Sequence, residues 1–136
     1  MPSNQGEQST IALLDRLLNG GRLQLLDIGA RGGLHPRWRR FAGYIDAVGF
    51  DADEHECARL NALPVVDGAR RRFLPYAVAG DVGQRQFHVC RAPGSSSLYA
   101  PNRELIGEFS RQLEHRLEVV ATEPMNVQTR DPVTAN

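Results

Sequence analysis

Two short apolar runs constrain this chain more than any other feature. Leu23-Gln24-Leu25-Leu26-Asp27-Ile28 and Ile45-Asp46-Ala47-Val48-Gly49-Phe50 are each too short for a helix and are dominated by apolar side chains. Runs of this kind suit strands buried on both faces of a parallel sheet. Each also closes on a carboxylate. The first carries Asp27 and opens into Gly29-Ala30-Arg31-Gly32-Gly33, and the second is followed at once by Asp51. Between them Pro36 is well placed to start a short helix through Trp38 and Phe41 towards Tyr44. Strand, helix, strand is therefore the expected order.

The flanking segments extend it. Ser9 or Thr10 can cap a helix with Ile11, Leu14 and Leu18 at i, i+3 and i+7, ended by Gly20-Gly21. Residues 54–63 read as a helix with Asp53 as cap and Pro64 as stop. Residues 72–78 read as a third strand, irregular at Pro75. After the turn at Gly80-Asp81-Val82-Gly83, residues 86–90 alternate like a half-exposed strand. A loop rich in Ser, Pro and Gly spans residues 92–101, and Asn102 caps a helix over residues 103–113. Residues 117–129, interrupted by Pro124, hold one or two strand-like pieces. The prediction is an α/β layered domain with a parallel sheet. Residues 1–22 form a helix and its start, and residues 23–136 form the body. The strands are fewer than a doubly wound domain uses, so the expectation is the N-terminal part of such a domain, or a short version of one.

Composition removes several classes of function. Sixteen basic and sixteen acidic residues cancel among 136, which argues against a nucleic-acid partner. Every basic residue is Arg, so neither a Schiff-base lysine nor a P-loop lysine exists here. No apolar run is long enough for a membrane span, and the first residues lack a signal-peptide layout, so a cytoplasmic location is expected. Cys57 and Cys90 match no metal-ligand spacing and read as ordinary buried thiols. His35, His55, His88 and His115 are scattered rather than clustered.

The chemistry concentrates where the two strands end. Gly29 permits a sharp turn with positive φ, and its missing Cβ lets a ligand approach the backbone. Asp27 can accept a hydrogen bond from an ammonium group, directly or through water, although it could equally pair with the turn's own amides. Asp51 lies 22 residues beyond Gly29, a spacing suited to a bidentate grip on ribose hydroxyls. A dinucleotide fingerprint would need glycine where Arg31 stands, and Asp27 would repel a nearby pyrophosphate. A ligand with an ammonium group and a ribose but no phosphate fits better. S-adenosyl-L-methionine has that description.

These residues resemble the FkbM-type S-adenosylmethionine-dependent methyltransferases of class I. The resemblance is carried by Leu26-Asp27-Ile28-Gly29-Ala30-Arg31-Gly32-Gly33 and by Val48-Gly49-Phe50-Asp51-Ala52-Asp53. It continues through Leu74-Pro75-Tyr76-Ala77-Val78-Ala79-Gly80-Asp81, Gly83, Phe87 and the Ser95-Ser96-Ser97-Leu98 loop, covering residues 23–131. It implies a Rossmann-like three-layer fold, here truncated after the first strands plus a hairpin-like excursion. It also implies methyl transfer from S-adenosylmethionine to a hydroxyl oxygen of a sugar or secondary metabolite. The partner would be a small-molecule or glycan acceptor.

By the same resemblance, Asp27, Gly29, Ala30 and Gly33 would surround the methionine part of the cofactor and Asp51 would hold the ribose. Ala52 would lie beside the adenosine and Ala77 near the adenine. Arg31 would face the cofactor carboxylate or stand solvated. Ser96 and Ser97 would contact substrate or cofactor, or else supply the loop's own hydrogen bonds. No catalytic base is nominated; His35 is nearest in sequence, in what reads as an exposed loop. Thr129-Arg130-Asp131 departs from the family's Thr-Leu-Asp, and the family's later helix and its Lys-Ile-Asp and Gly-x-Glu strand have no counterpart in this sequence. The alternative is a non-catalytic cofactor-binding or interaction module completed by a partner chain, its exposed sheet edge favouring homo-oligomers. A nicotinamide-dependent oxidoreductase is disfavoured by Arg31.

Overall fold

The computed structural model describes residues 5–65 and 68–129. The protein is α/β, with one parallel and one mixed three-stranded sheet. The two sheets belong to two compact units. One contains the chain through Phe50 together with Glu54–Leu74, and the other contains Asp51–Asp53 and the chain from Pro75 onward.

The first unit opens with α1 (Gln5–Leu18), which begins ahead of the expected cap. Thr10 lies within the helix, where its Oγ1 donates to the Gly6 carbonyl at 2.9 Å. Gly20 takes φ +83° just past the helix end. Strands β1 (Leu23–Ile28), β2 (Ile45–Phe50) and β3 (Arg70–Leu74) pair in parallel in the order β1-β2-β3. Leu23 faces Ile45 and Ile28 faces Phe50 across the first ladder, and Asp46 faces Arg70 across the second. Between β1 and β2 runs a 3₁₀ helix (Pro36–Tyr44), and α2 (Glu54–Ala62) precedes β3. Tyr44 ties the 3₁₀ helix to α1 by donating to Asp15 at 2.7 Å.

Only β2 behaves as the fully buried strand expected of both apolar runs: Ile45, Ala47, Val48 and Phe50 are all buried. β1 does not. It stands at the end of the sheet order, with Ile28 66% and Leu23 44% exposed. A strand with a neighbour on one side only has no second layer of backbone to shield it, whatever its hydropathy. The core of the unit is Ala30, Cys57, Leu60 and Phe73, with Leu34 packed against it. At roughly 1.5–3 kcal/mol for each large buried side chain, Leu60 and Phe73 dominate that cluster.

The second unit departs further from expectation. The strand expected over residues 72–78 is divided: Pro75 separates β3 from β4 (Ala77–Val78), and the two belong to different sheets. Proline cannot donate to a ladder, so the change of sheet falls where pairing is weakest. β4 pairs in parallel with the end of β6 (Val119–Gln128), and β6 pairs antiparallel with β5 (Gly83–Cys90). β6 is one continuous strand despite Pro124. That residue faces Gln86, upstream of the two positions where β4 joins, so β6 has a single partner strand there. A bulge interrupts the register at Val89/Cys90.

The helix expected over residues 103–113 is two helices, α3 (Arg103–Phe109) and α4 (Arg111–Arg116). Asn102 caps the first as expected, accepting from the Leu105 amide at 3.1 Å. Ser110 leaves helical geometry and caps the second, accepting from the Leu113 amide at 3.2 Å. A serine competing for backbone donors is a common cause of such a break. Arg130 and Asp131 lie outside the described residues. Among the described residues, no helix is long and apolar enough to cross a membrane.

Candidate functional site

The turn after β1 is built as its glycines require. Gly29, Gly32 and Gly33 take φ of +81°, +84° and +89°. Nothing lies within 4 Å of where a Gly29 Cβ would stand, so one face of its backbone is open. At Gly33, a Cβ would meet Leu60 Cδ2 at 3.3 Å. Gly29 therefore combines left-handed geometry with open space, whereas Gly33 serves close packing on α2. Asp27 is half-buried on β1 opposite Gly49, two residues before the turn.

The turn's amides are more committed than the sequence suggests. Gly29 and Ala30 both donate to the Phe50 carbonyl at 2.8 Å, which fastens the turn to the end of β2. Gly33 donates to the Ala30 carbonyl at 2.9 Å. Gly32 donates to Glu56 Oε1 on α2 at 2.9 Å. The segment that follows is a 3₁₀ helix starting at Pro36, not the α-helix of a dinucleotide-binding turn. The amides of Gly29, Ala30, Gly32 and Gly33 are thus already engaged within the protein.

Glu56 is the residue that sequence reasoning missed. Its carboxylate joins the Gly32 amide to Arg59, which donates twice at 2.8 Å. Arg59 and the Gly32 amide, helped by the nearby Arg31 charge, pull its pKa down to about 2. The i, i+3 spacing of Glu56 and Arg59 was visible in the sequence, but nothing there linked it to a glycine 24 positions earlier.

Each remaining candidate has a definite position. Ala30 is buried in the core cluster, so its methyl packs against Phe73 and Leu60 and faces no solvent. Arg31 is exposed and contributes to the field on Glu56. Asp51 directly follows β2, and its Oδ1 accepts from the Asp53 amide at 2.9 Å, forming an Asx turn ahead of α2. Ala52, inside that turn, is half-buried.

Ala77 lies in β4 opposite Val127. Ser96 Oγ accepts from the Cys90 amide at 3.0 Å, and Ser97 Oγ accepts from the Tyr99 amide at 3.1 Å. Ser97 also exchanges backbone bonds with His88. Both hydroxyls therefore do the loop-ordering work that was one of their two readings. His35 Nδ1 accepts from the Arg37 amide and from Arg37 Nε, so it caps the 3₁₀ helix. Cys57 and Cys90 are both buried, and burial pushes the Cys90 thiol up.

The structure thus gathers Asp27, Gly29, Ala30, Arg31 and Gly33 at one strand end, with Asp51 and Ala52 next in the chain after β2. Comparison with family models, with curated proteins and with solved structures finds no match for this chain.

Proposed function

We propose that the chain binds S-adenosyl-L-methionine at the end of β1 and belongs functionally with class I methyltransferases acting on hydroxyl groups. The observation that carries this reading is Gly29, left-handed and open above its Cα, two residues after the carboxylate of Asp27. In the proposal Asp27 accepts from the cofactor's ammonium, and the bare Gly29 backbone admits its chain. Asp51 takes the ribose hydroxyls, keeping its Asx-turn bond through one oxygen. The parallel order β1-β2-β3, with the turn at the carboxyl end of β1, agrees with ligand binding in open α/β sheets, a fold-level analogy. A Rossmann-like three-layer fold remains part of the proposal. The chemistry would be an in-line displacement at the methyl carbon, relying chiefly on alignment of the acceptor oxygen with the sulfonium.

The second reading, a non-catalytic cofactor-binding module, is favoured by one specific finding. Both candidate substrate serines already accept backbone amides.

Calorimetric titration with S-adenosylhomocysteine tests the binding claim, with NAD as control. Saturable heat that falls about tenfold or more in Asp27→Ala and in Asp51→Ala, and is absent with NAD, is expected. Blank titrations with the folded chain would end the proposal. Methyl transfer to hydroxylated acceptors then separates the enzyme from the module.

A further inference from the structure

The first unit contains a cavity that the reading above leaves unused. It has a volume of about 370 Å³ and opens to solvent. Its floor is Ile45 and Leu60, both buried, and Leu34, Trp38, Ala42 and Leu63 complete an apolar wall. The β1–β2 connection, a 3₁₀ helix, contributes Trp38, Arg39 and the methyl of Ala42 to its lining.

Arg39, Arg70 and Arg71 also line the cavity, and no Asp or Glu does among the described residues. Arg71 donates to the Leu63 and Pro64 carbonyls, which hold its guanidinium without neutralising it. Arg70 lies 3.9 Å from Asp46 Oδ1 but leaves 71% of its side chain exposed. Arg39 has no carboxylate partner among the described residues. His35 Nδ1 is occupied as an acceptor and adds no acidic group.

We propose that this cavity binds a small amphipathic carboxylate, a medium-chain acyl or aryl-alkyl acid. The volume falls in the range of small-molecule sites, which combine apolar walls with a few placed polar groups. Among the described lining residues a cation would meet only like charge. A polyanion would have to lose its water against Trp38 and Leu60 without partners there. A single carboxylate can be gripped by a guanidinium fork while its chain covers the apolar wall. Gly32 and Gly33 border the cavity from the glycine turn, but Asp27, Gly29 and Asp51, on which the cofactor reading rests, do not line it.

Trp38, the only tryptophan, makes the test direct. The full chain is titrated with octanoate while Trp38 fluorescence is followed. Parallel titrations use 1-octanol, acetate and octyltrimethylammonium. Octanoate should give a saturable change, octanol should bind at least about tenfold more weakly, and acetate and the cation should not bind. Arg39→Gln combined with Arg70→Gln should reduce octanoate affinity about tenfold while leaving octanol unchanged. These residues are exposed, so that variant should fold. Ala42→Phe should abolish both responses by filling the space. Equal affinity for octanol and octanoate, an unchanged double Arg variant, or no saturation by fluorescence and calorimetry together would overturn the proposal.

Discussion

A glutamate on α2 holds an amide of the glycine turn, and this couples the turn to pH. Glu56 has its pKa lowered to about 2, first by Arg59 and then by the Gly32 amide. A lowered carboxylate pKa stabilises the folded form fully above the ordinary value of 4.5, and that contribution disappears as pH falls towards 2. In an NMR titration the Gly32 amide should therefore move with a midpoint well below 4.5. Glu56→Gln should abolish that step while leaving the rest of the spectrum largely in place. A midpoint near 4.5 would mean that the carboxylate does not hold the turn.

Gly49 is the second residue on which the turn depends. A Cβ there would stand 2.5 Å from Phe73 Cδ1 and 2.8 Å from the Ala30 Cβ. Gly49→Ala should destabilise the chain by about 1–3 kcal/mol in urea unfolding, because ring and turn must both move. Trimming the ring in Gly49→Ala/Phe73→Leu should make the two costs less than additive. Strict additivity would show that the ring is not the obstacle.

Between elements, one side chain replaces a missing strand. β3 ends the sheet order, so some of its backbone groups lack a ladder partner. Asn61 on α2 supplies two: its Nδ2 donates to the Phe73 carbonyl and its Oδ1 accepts from the Phe73 amide, each at 2.8 Å. The side-chain amide imitates a neighbouring peptide unit and fixes α2 against β3. Asn61→Ala should cost about 2–4 kcal/mol in urea unfolding, since two part-buried backbone groups lose their partners. Asn61→Asp keeps the acceptor alone and should fall between Ala and the parent. Equal stability of all three would show that water serves the backbone as well.

Across the molecule, apolar residues are distributed without regard to how many are buried. Leu23 and Ile28 are exposed on a strand with a partner on one side only. Exposed apolar edges are templates for further strand pairing. Sedimentation should therefore reveal concentration-dependent self-association, relieved by Ile28→Lys, which leaves the β1–β2 ladder intact. A chain that stays monomeric at high concentration would show that this edge is protected. At Pro75 the chain passes from one sheet to the other, β3 ending in the first and β4 opening in the second.

Local chemistry was legible from residue order alone. Short, mostly apolar runs gave β1 and β2, Gly29 required positive φ, Pro64 followed the end of α2, and Asn102 capped α3, because each depends only on near neighbours in the chain. Contacts far apart in sequence were not legible. Hydropathy cannot say whether a strand has one neighbour or two, so β1 read as buried and stands at an edge. Nor can spacing reveal that Glu56 meets Gly32, that Asn61 completes Phe73, or that a short 3₁₀ helix borders a cavity over Ile45 and Leu60. Those arrangements follow from packing α2 against a particular sheet register, and only the tertiary structure decides that register.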